Sequence, residues 1–321
     1  MDIAFTARLD AEGRAQWLGA LQAACPGHRW IDLGDASAPR GAQTPLQADV
    51  AVVANPAPGA LAGLTGLRLV QSLWAGVEKL LADTTLPREV PLARMVDPSM
   101  NDAMAETALW AVLSLHRGFF DYAQQQRDGV WHQRVQRRAE AVRVLVLGFG
   151  AMGRAVSARL AACGYRVTAW RREGSQAGEA VAGVAVIGGR PALDAALPQA
   201  EVLINLLPVT PQTRGVLSRP LLDRLPRGAG VVNLGRGAHL VEADLLAALA
   251  DGSVGRAVLD VFAEEPLPAG HPFWAHPRVT VLPHVAALTD LGTASAVVAD
   301  NLRRLAQGEP LRHLVDRARG Y

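Results

Sequence analysis

Val144-Leu-Val-Leu-Gly148-Phe-Gly150-Ala-Met-Gly153-Arg154 is the stretch that decides how this 321-residue chain is read. Four apolar residues predict a buried strand, and three glycines follow at G-x-G-x-x-G spacing. Ala155-Val-Ser-Ala-Arg-Leu-Ala-Ala162 then sets its apolar positions on one helical face. Strand, turn and helix in that order make a seat for phosphate. Gly148 permits the tight turn, Gly150 lets backbone approach a pyrophosphate, and Gly153 lets helix pack close on strand. The free N–H groups of the helix N-terminus, at Ala151 and Met152, face the anion. A bare glycine pattern carries little weight; this one sits inside a βαβ unit completed by a second strand from Tyr165 to Trp170, and it predicts dinucleotide binding.

The end of that second strand selects the dinucleotide. An NAD site places Asp or Glu there for the ribose hydroxyls. Here the chain reads Trp170-Arg171-Arg172, and Glu173 comes only after both arginines. Arginine accommodates a 2′-phosphate through charge and a planar donor fork, so NADP(H) is preferred, with NAD(H) as the alternative if the pair sits idle on a loop.

Residues 142–285 repeat the βαβ pattern. Strands are predicted at 143–147, 166–170, 184–187, 202–206, 230–233, 257–260 and 279–282, as in a doubly wound dinucleotide fold. Residues 1–98 alternate strands and helices as well, with strands at 3–7, 30–33, 50–54, 67–73 and 94–96 and a helix at 10–24. Between the two runs, Asn101 to about Gly129 predicts one long helix with Asn101 as N-cap. Its segment Ala105 to Leu115 is apolar nearly all round, so it requires burial between domains or against a second subunit. Arg134 to Arg138 reads as a solvated loop. Leu291 to Gln307 is a final helix. The fold class is α/β with two doubly wound parallel-sheet domains: a dinucleotide-binding domain at 99–286, and a discontinuous one at 1–98 plus 287–321.

Composition excludes other classes. With 32 basic against 30 acidic residues there is no basic stripe for nucleic acid. No uncharged apolar run is long enough to span a membrane, and no signal segment opens the chain. The two cysteines, Cys25 and Cys163, read as reduced core residues of a cytoplasmic protein. No metal site is expected: His271 and His276 flank Phe273-Trp274 in a Pro-rich loop without a ligand set.

Three residues follow the C-terminal ends of predicted strands, where an open α/β sheet binds ligands. They are Arg236, Glu265 and His284. Arg236 is suited to holding a substrate carboxylate and polarising a keto oxygen. His284 is suited to giving that oxygen a proton, and Glu265 to orienting the imidazole. Together they predict hydride transfer to a small 2-keto acid.

The glycine loop, Asn233-Leu-Gly-Arg-Gly237, Leu259-Asp-Val-Phe262 with Glu265-Pro266, and Pro283-His284 together resemble the D-isomer-specific 2-hydroxyacid dehydrogenase family across essentially the whole chain. Leu203-Ile-Asn-Leu-Leu-Pro208 and the terminal Val315-Asp-Arg-Ala-Arg-Gly-Tyr321 are similar to its glyoxylate/hydroxypyruvate reductase branch, type A. The resemblance implies a flavodoxin-like substrate domain beside a Rossmann cofactor domain, with an interdomain active site and a homodimer through 101–131. It implies that the backbone of Trp74-Ala75-Gly76 binds the substrate carboxylate, and that Leu207, Pro208 and Asp260 lie at the cofactor, Asp260 on its nicotinamide side. An ordinary loop cap is the other reading of Asp260. The Glu-Pro-Leu match favours Glu265 over Glu264, and a carboxylate there, where formate dehydrogenases of the superfamily carry glutamine, argues against formate. Trp74 is bulkier than expected. Trp131 reads as a residue that packs in the dimer, with reach into a neighbouring active site as the other reading. The competing readings are a dinucleotide-sensing interaction protein on the same fold, and a dehydrogenase for a bulkier 2-keto acid.

Overall fold

A computed structural model describes residues 1–35, 37, 45–172 and 180–321. Two compact units are present, Met1–Met100 with Thr289–Tyr321, and Asn101–Leu288.

The first unit is built from β1 (Asp2–Ala7), α1 (Ala11–Ala24), β2 (Arg29–Asp35), β3 (Leu46–Gln47), β4 (Val50–Ala54), β5 (Leu64–Thr65), β6 (Leu69–Ser72), α2 (Glu78–Ala82) and β7 (Leu92–Ala93). Its main sheet runs β2-β1-β4-β6-β7, every pair parallel. Counting only those strands, the order is 2-1-3-4-5, the flavodoxin-like winding. β4, Val-Ala-Val-Val-Ala, is buried along its whole length, as a central parallel strand covered on both faces must be. Asp10 caps α1 by accepting the Gly13 N–H at 2.7 Å.

The chain continues as α3 (Pro98–Arg117), α4 (Phe119–Asp128), β8 (Arg143–Leu147), α5 (Ala151–Ala162), β9 (Arg166–Arg171), β10 (Val184–Gly188), α6 (Gly189–Ala196), β11 (Val202–Asn205), α7 (Arg219–Leu222), β12 (Ala229–Asn233), α8 (Glu242–Asp251), β13 (Val254–Leu259) and β14 (Val279–Val281). The strands of the second unit form one parallel sheet in the order β10-β9-β8-β11-β12-β13-β14. Renumbered, this is 3-2-1-4-5-6-7, so the winding reverses between β8 and β11, and ligands bind at the C-terminal strand ends beside that switch. Alternate residues of β8 feed two cores: Leu145 and Leu147 go to one, Val144 and Val146 to the other. Burial on both faces is why β8 reads as a continuous apolar run. The last helix, α9 (Leu291–Gln307), belongs to the first unit and packs against α1.

Four expectations from the sequence are corrected. The long helix is two helices. Gly118 takes φ +72°, ending α3 and opening α4. Helix α3 also starts earlier than expected, at Pro98, with the Asp97 carboxylate accepting the Ser99 N–H at 3.1 Å, so Asn101 is an interior residue and not the cap. The strand expected at 94–96 is instead β7 at Leu92–Ala93; beyond it the Arg94 N–H turns to the His313 carbonyl and the Met95 N–H to that of Trp74. Cys163 is exposed, because it is the C-cap of α5 and lies past the last packed turn, whereas Cys25 is buried. The apolar face of α3 is covered within its own unit, where Met104, Ala105, Ala108, Ala111 and Val112 join the core under β8. In the arm that follows α4, Arg134 pairs with Asp121 and Arg137 with Glu201. Among the described residues, no helix is long and apolar enough to cross a membrane.

Candidate active site

The glycine loop joins β8 to α5 beside the switch point. Gly148 sits at φ +102°, and a Cβ there would meet the Leu206 carbonyl oxygen at 2.8 Å. A Cβ on Gly153 would lie 2.0 Å from the Gly148 carbonyl oxygen, so α5 touches the loop backbone directly. Gly150 differs: nothing lies within 4 Å of the position its Cβ would take. It is also the N-cap of α5 and brings no side-chain acceptor, so the first N–H groups of the helix are left to a ligand. Closed at Gly148 and Gly153 and open at Gly150, this cradle fits a pyrophosphate. Gly153→Ala is expected to weaken NADPH binding about tenfold or more, since relieving such overpacking costs about 1–3 kcal/mol. A fluorescence titration checks this, and an unchanged Kd would contradict the close-packing role.

Arg171 ends β9 and Arg172 follows it. Glu173 lies outside the described residues. Leu207 is buried and Pro208 half-buried in the loop after β11.

The turns after β12, β13 and β14 carry the polar residues. Arg236 follows β12 by three positions; its Nη1 donates to the Gly235 carbonyl at 2.7 Å, and its own carbonyl accepts from Asn233 Nδ2 at 3.1 Å. Glu265 and His284 meet, Oε2 lying 2.7 Å from Nδ1. The other oxygen of Glu265 accepts the Phe262 N–H at 2.9 Å, which fixes the carboxylate and separates Glu265 from Glu264. His284 is half-exposed and stands at φ +55°, a left-handed conformation unusual for histidine.

Asp260 holds that conformation in place. Its backbone carbonyl accepts the His284 N–H at 3.0 Å. Its buried carboxylate accepts the N–H groups of Val285 at 2.7 Å and Ala286 at 3.1 Å. Burial pushes the Asp260 carboxyl pKa up, and those two N–H groups pull it partly back. The structure therefore shows Asp260 bracing the turn that presents His284.

Trp74, Ala75 and Gly76 lie in the first unit, on the turn leaving β6. The Trp74 N–H donates to Ser72 Oγ at 3.0 Å, and the Ser72 hydroxyl donates back to the Trp74 carbonyl at 3.0 Å. The indole packs edge-on against Trp17 of α1, with centroids 5.8 Å apart. That contact was not visible in the sequence, and it shows where the bulk of Trp74 is accommodated. Also unanticipated is a fully buried trio, Asn205, Asn233 and His239, beneath the loops after β11 and β12. Its one visible signal is an asparagine at the end of each of two strands.

Comparison with known proteins places this arrangement. Residues 109–286 match the model of the D-isomer specific 2-hydroxyacid dehydrogenase NAD binding domain. The chain belongs to the D-isomer-specific 2-hydroxyacid dehydrogenase family. It is 39% identical to the glyoxylate/hydroxypyruvate reductase A of Yersinia enterocolitica, over 95% of this chain and 96% of that one. It is 40% identical to the protein of that name from Salmonella newport, over 96% of each. A family member from Xanthobacter autotrophicus Py2, solved with NADPH and MES, superposes with a TM-score of 0.90 at 38% identity, covering 99% of both chains. The NADPH-dependent glyoxylate/hydroxypyruvate reductase of Sinorhizobium meliloti, solved with NADP and sulfate, gives 0.89 at 34% identity, covering 100% of this chain and 99% of that one. As a dehydrogenase of this family the protein is an oxidoreductase, and its second unit is the dinucleotide-binding domain.

Proposed function

We propose that this dehydrogenase reduces a small 2-keto acid, glyoxylate or hydroxypyruvate, with NADPH, giving the D-2-hydroxy acid where the product is chiral. The observation that carries the reading is the 2.7 Å contact between His284 Nδ1 and Glu265 Oε2 at the ligand-binding edge of a dinucleotide sheet. The names of the Yersinia and Salmonella relatives support the substrate, and the NADP-bound Sinorhizobium reductase supports the cofactor.

The dinucleotide, when bound, supplies a hydride. Gly148, Gly150, Ala151, Met152 and Gly153 would hold its pyrophosphate, and Leu207, Pro208 and Asp260 would line its other end. Arg236 would grip the substrate carboxylate with its planar fork and polarise the keto oxygen. With Nδ1 committed to Glu265, His284 has Nε2 left to pass a proton to that oxygen. Glu265 holds the imidazole in orientation through its contact with Nδ1. Chiral analysis of glycerate formed from hydroxypyruvate tests the stereochemistry; an L or racemic product would contradict it.

Arg171 and Arg172 would take the 2′-phosphate of NADPH. Replacing both by alanine is expected to raise the KM for NADPH about 10- to 100-fold, since hydrogen bonds to charged groups contribute about 1.5–3 kcal/mol, while the KM for NADH changes little. Equal effects on both dinucleotides would remove the pair from cofactor selection.

The reading extends to a cytoplasmic homodimer joined through 101–131. Its support is the apolar surface of the arm beyond α4, where Val130, Trp131 and Val135 are exposed, Trp131 by 92%. Sedimentation at micromolar concentration tests it, and a monomer would contradict it.

A further inference from the structure

Asn205 and Asn233 are the last residues of β11 and β12, and His239 follows the Arg236 turn; all three have no solvent exposure. The chemistry described above uses none of them. Their hydrogen bonds run in one consistent direction. The Leu207 N–H donates to Asn205 Oδ1 at 3.3 Å, so Asn205 presents Nδ2 on its other side. That Nδ2 donates to Asn233 Oδ1 at 2.9 Å and to His239 Nδ1 at 2.8 Å. Asn233 Oδ1 also accepts the Gly235 N–H at 3.3 Å, and Asn233 Nδ2 donates to the Arg236 carbonyl at 3.1 Å. Backbone donors and acceptors thus fix both amide orientations. His239 Nδ1 is then an acceptor, the ring proton sits on Nε2, and Nε2 donates to the Pro208 carbonyl at 3.2 Å.

The ends of this chain of bonds are the main chains of two loops, Leu207–Pro208 and Gly235–Arg236. The packing is close: a Cβ on Gly235 would stand 2.9 Å from Asn205 Nδ2 and 3.2 Å from His239 Nδ1. The three side chains have no solvent exposure, so each bond among them is stronger than the same bond in water, and each unmade one is costly.

We propose that His239, as the neutral Nε2–H tautomer, forms with Asn205 and Asn233 a positioning strut that fixes the Arg236 loop relative to the Leu207–Pro208 loop. The strut sets the backbone from which the Arg236 guanidinium reaches its ligand, and a misplacement of about 1 Å in such a group can cost about 100-fold in rate. The kinetic consequence rests on the keto-acid reading; the tautomer and the link to the dinucleotide loop do not.

Two measurements test the strut. Nitrogen-15 NMR of the histidines in the wild-type protein, without ligand, is expected to show His239 protonated at Nε2 and bare at Nδ1. An Nδ1–H or doubly protonated ring would overturn the proposal. The second compares His239→Gln, whose amide can accept from Asn205 and donate to Pro208, with His239→Leu, which keeps the bulk and loses both bonds. Gln is expected to keep kcat/KM within about fivefold, while Leu loses about 100-fold, with kcat lowered and the keto-acid KM raised, and also binds NADPH more weakly. A packing role gives the opposite order, Leu near wild type and Gln impaired, and that order would overturn the strut. If His239→Leu does not fold, Asn205→Asp replaces it. That isosteric change sets oxygen against Asn233 Oδ1 and His239 Nδ1, the same losses are expected, and wild-type behaviour would overturn the proposal. If the wild type turns over no keto acid, the functional reading fails, while the NMR tautomer and the NADPH titration of the variants still decide the strut.

Discussion

Replacing His284 by Gln is expected to lower kcat about 10²- to 10⁴-fold, the usual contribution of a positioned general acid. NADPH affinity and melting temperature are expected to stay near wild type. The reason is that the backbone of residue 284 is held from outside its own side chain. The carbonyl of Asp260 takes the His284 N–H, and the Asp260 carboxylate takes those of Val285 and Ala286. The unusual φ of +55° is therefore imposed by the turn, and a glutamine inherits it. What the variant loses is a proton that can be delivered. Glutamine can still bond to Glu265, but its amide does not titrate in the useful range. A kcat within tenfold of wild type, in a step limited by chemistry, would remove His284 from the acid role.

Arg236→Ala should lower kcat/KM about 10²- to 10³-fold, the loss found when a donor to developing charge is removed. Unlike His284, Arg236 is placed to act on both the bound acid and the transition state, so KM should rise as kcat falls. Arg236→Lys separates charge from geometry. An ammonium keeps the charge but loses the planar fork, so Lys should recover only part of the loss. Steady-state kinetics with a keto acid checks both variants; unchanged constants for alanine would end the assignment. Full recovery by lysine would show that charge alone suffices and that the two-donor grip is not used.

The glycine loop was legible in the sequence because its chemistry is local. Gly148, Gly150 and Gly153 lie within six residues, and the Gly148–Gly153 contact, like the opening at Gly150, follows from that spacing. The winding of both sheets was legible for a similar reason, since buried parallel strands announce themselves as short apolar runs between helices. His284 and Glu265 lie 19 residues apart, and each stands just past a strand end. That position suggested their meeting, and the motif match separated Glu265 from Glu264 before the geometry did.

What escaped the sequence depends on partners distant along the chain or on a single dihedral. Asn205 and Asn233 are 28 residues apart, and Asn205 and His239 are 34; alone, each is an ordinary polar residue near a strand end. Trp17 and Trp74 meet only because α1 and the β6 turn share a unit. Gly118 breaks a helix whose apolar pattern runs on past it, and a lone glycine in such a pattern reads equally as a tolerated interior residue. Cys163 lies one residue past the end of α5, a distance at which helical patterning no longer reports burial.

Residues that turn over a small 2-keto acid are distinguished by one experiment from residues that merely sense a dinucleotide. The most direct test follows the reduced-nicotinamide absorbance band with NADPH and with NADH, each paired in turn with glyoxylate, hydroxypyruvate, pyruvate and phenylpyruvate. Fast decay is expected with NADPH and the two small acids glyoxylate and hydroxypyruvate, slower decay with NADH, and little with phenylpyruvate. Fast decay with phenylpyruvate alone would move the substrate to a bulkier acid. No decay with any pair, from protein that demonstrably binds NADPH, would overturn the keto-acid reductase reading and leave a dinucleotide-sensing protein on a dehydrogenase fold.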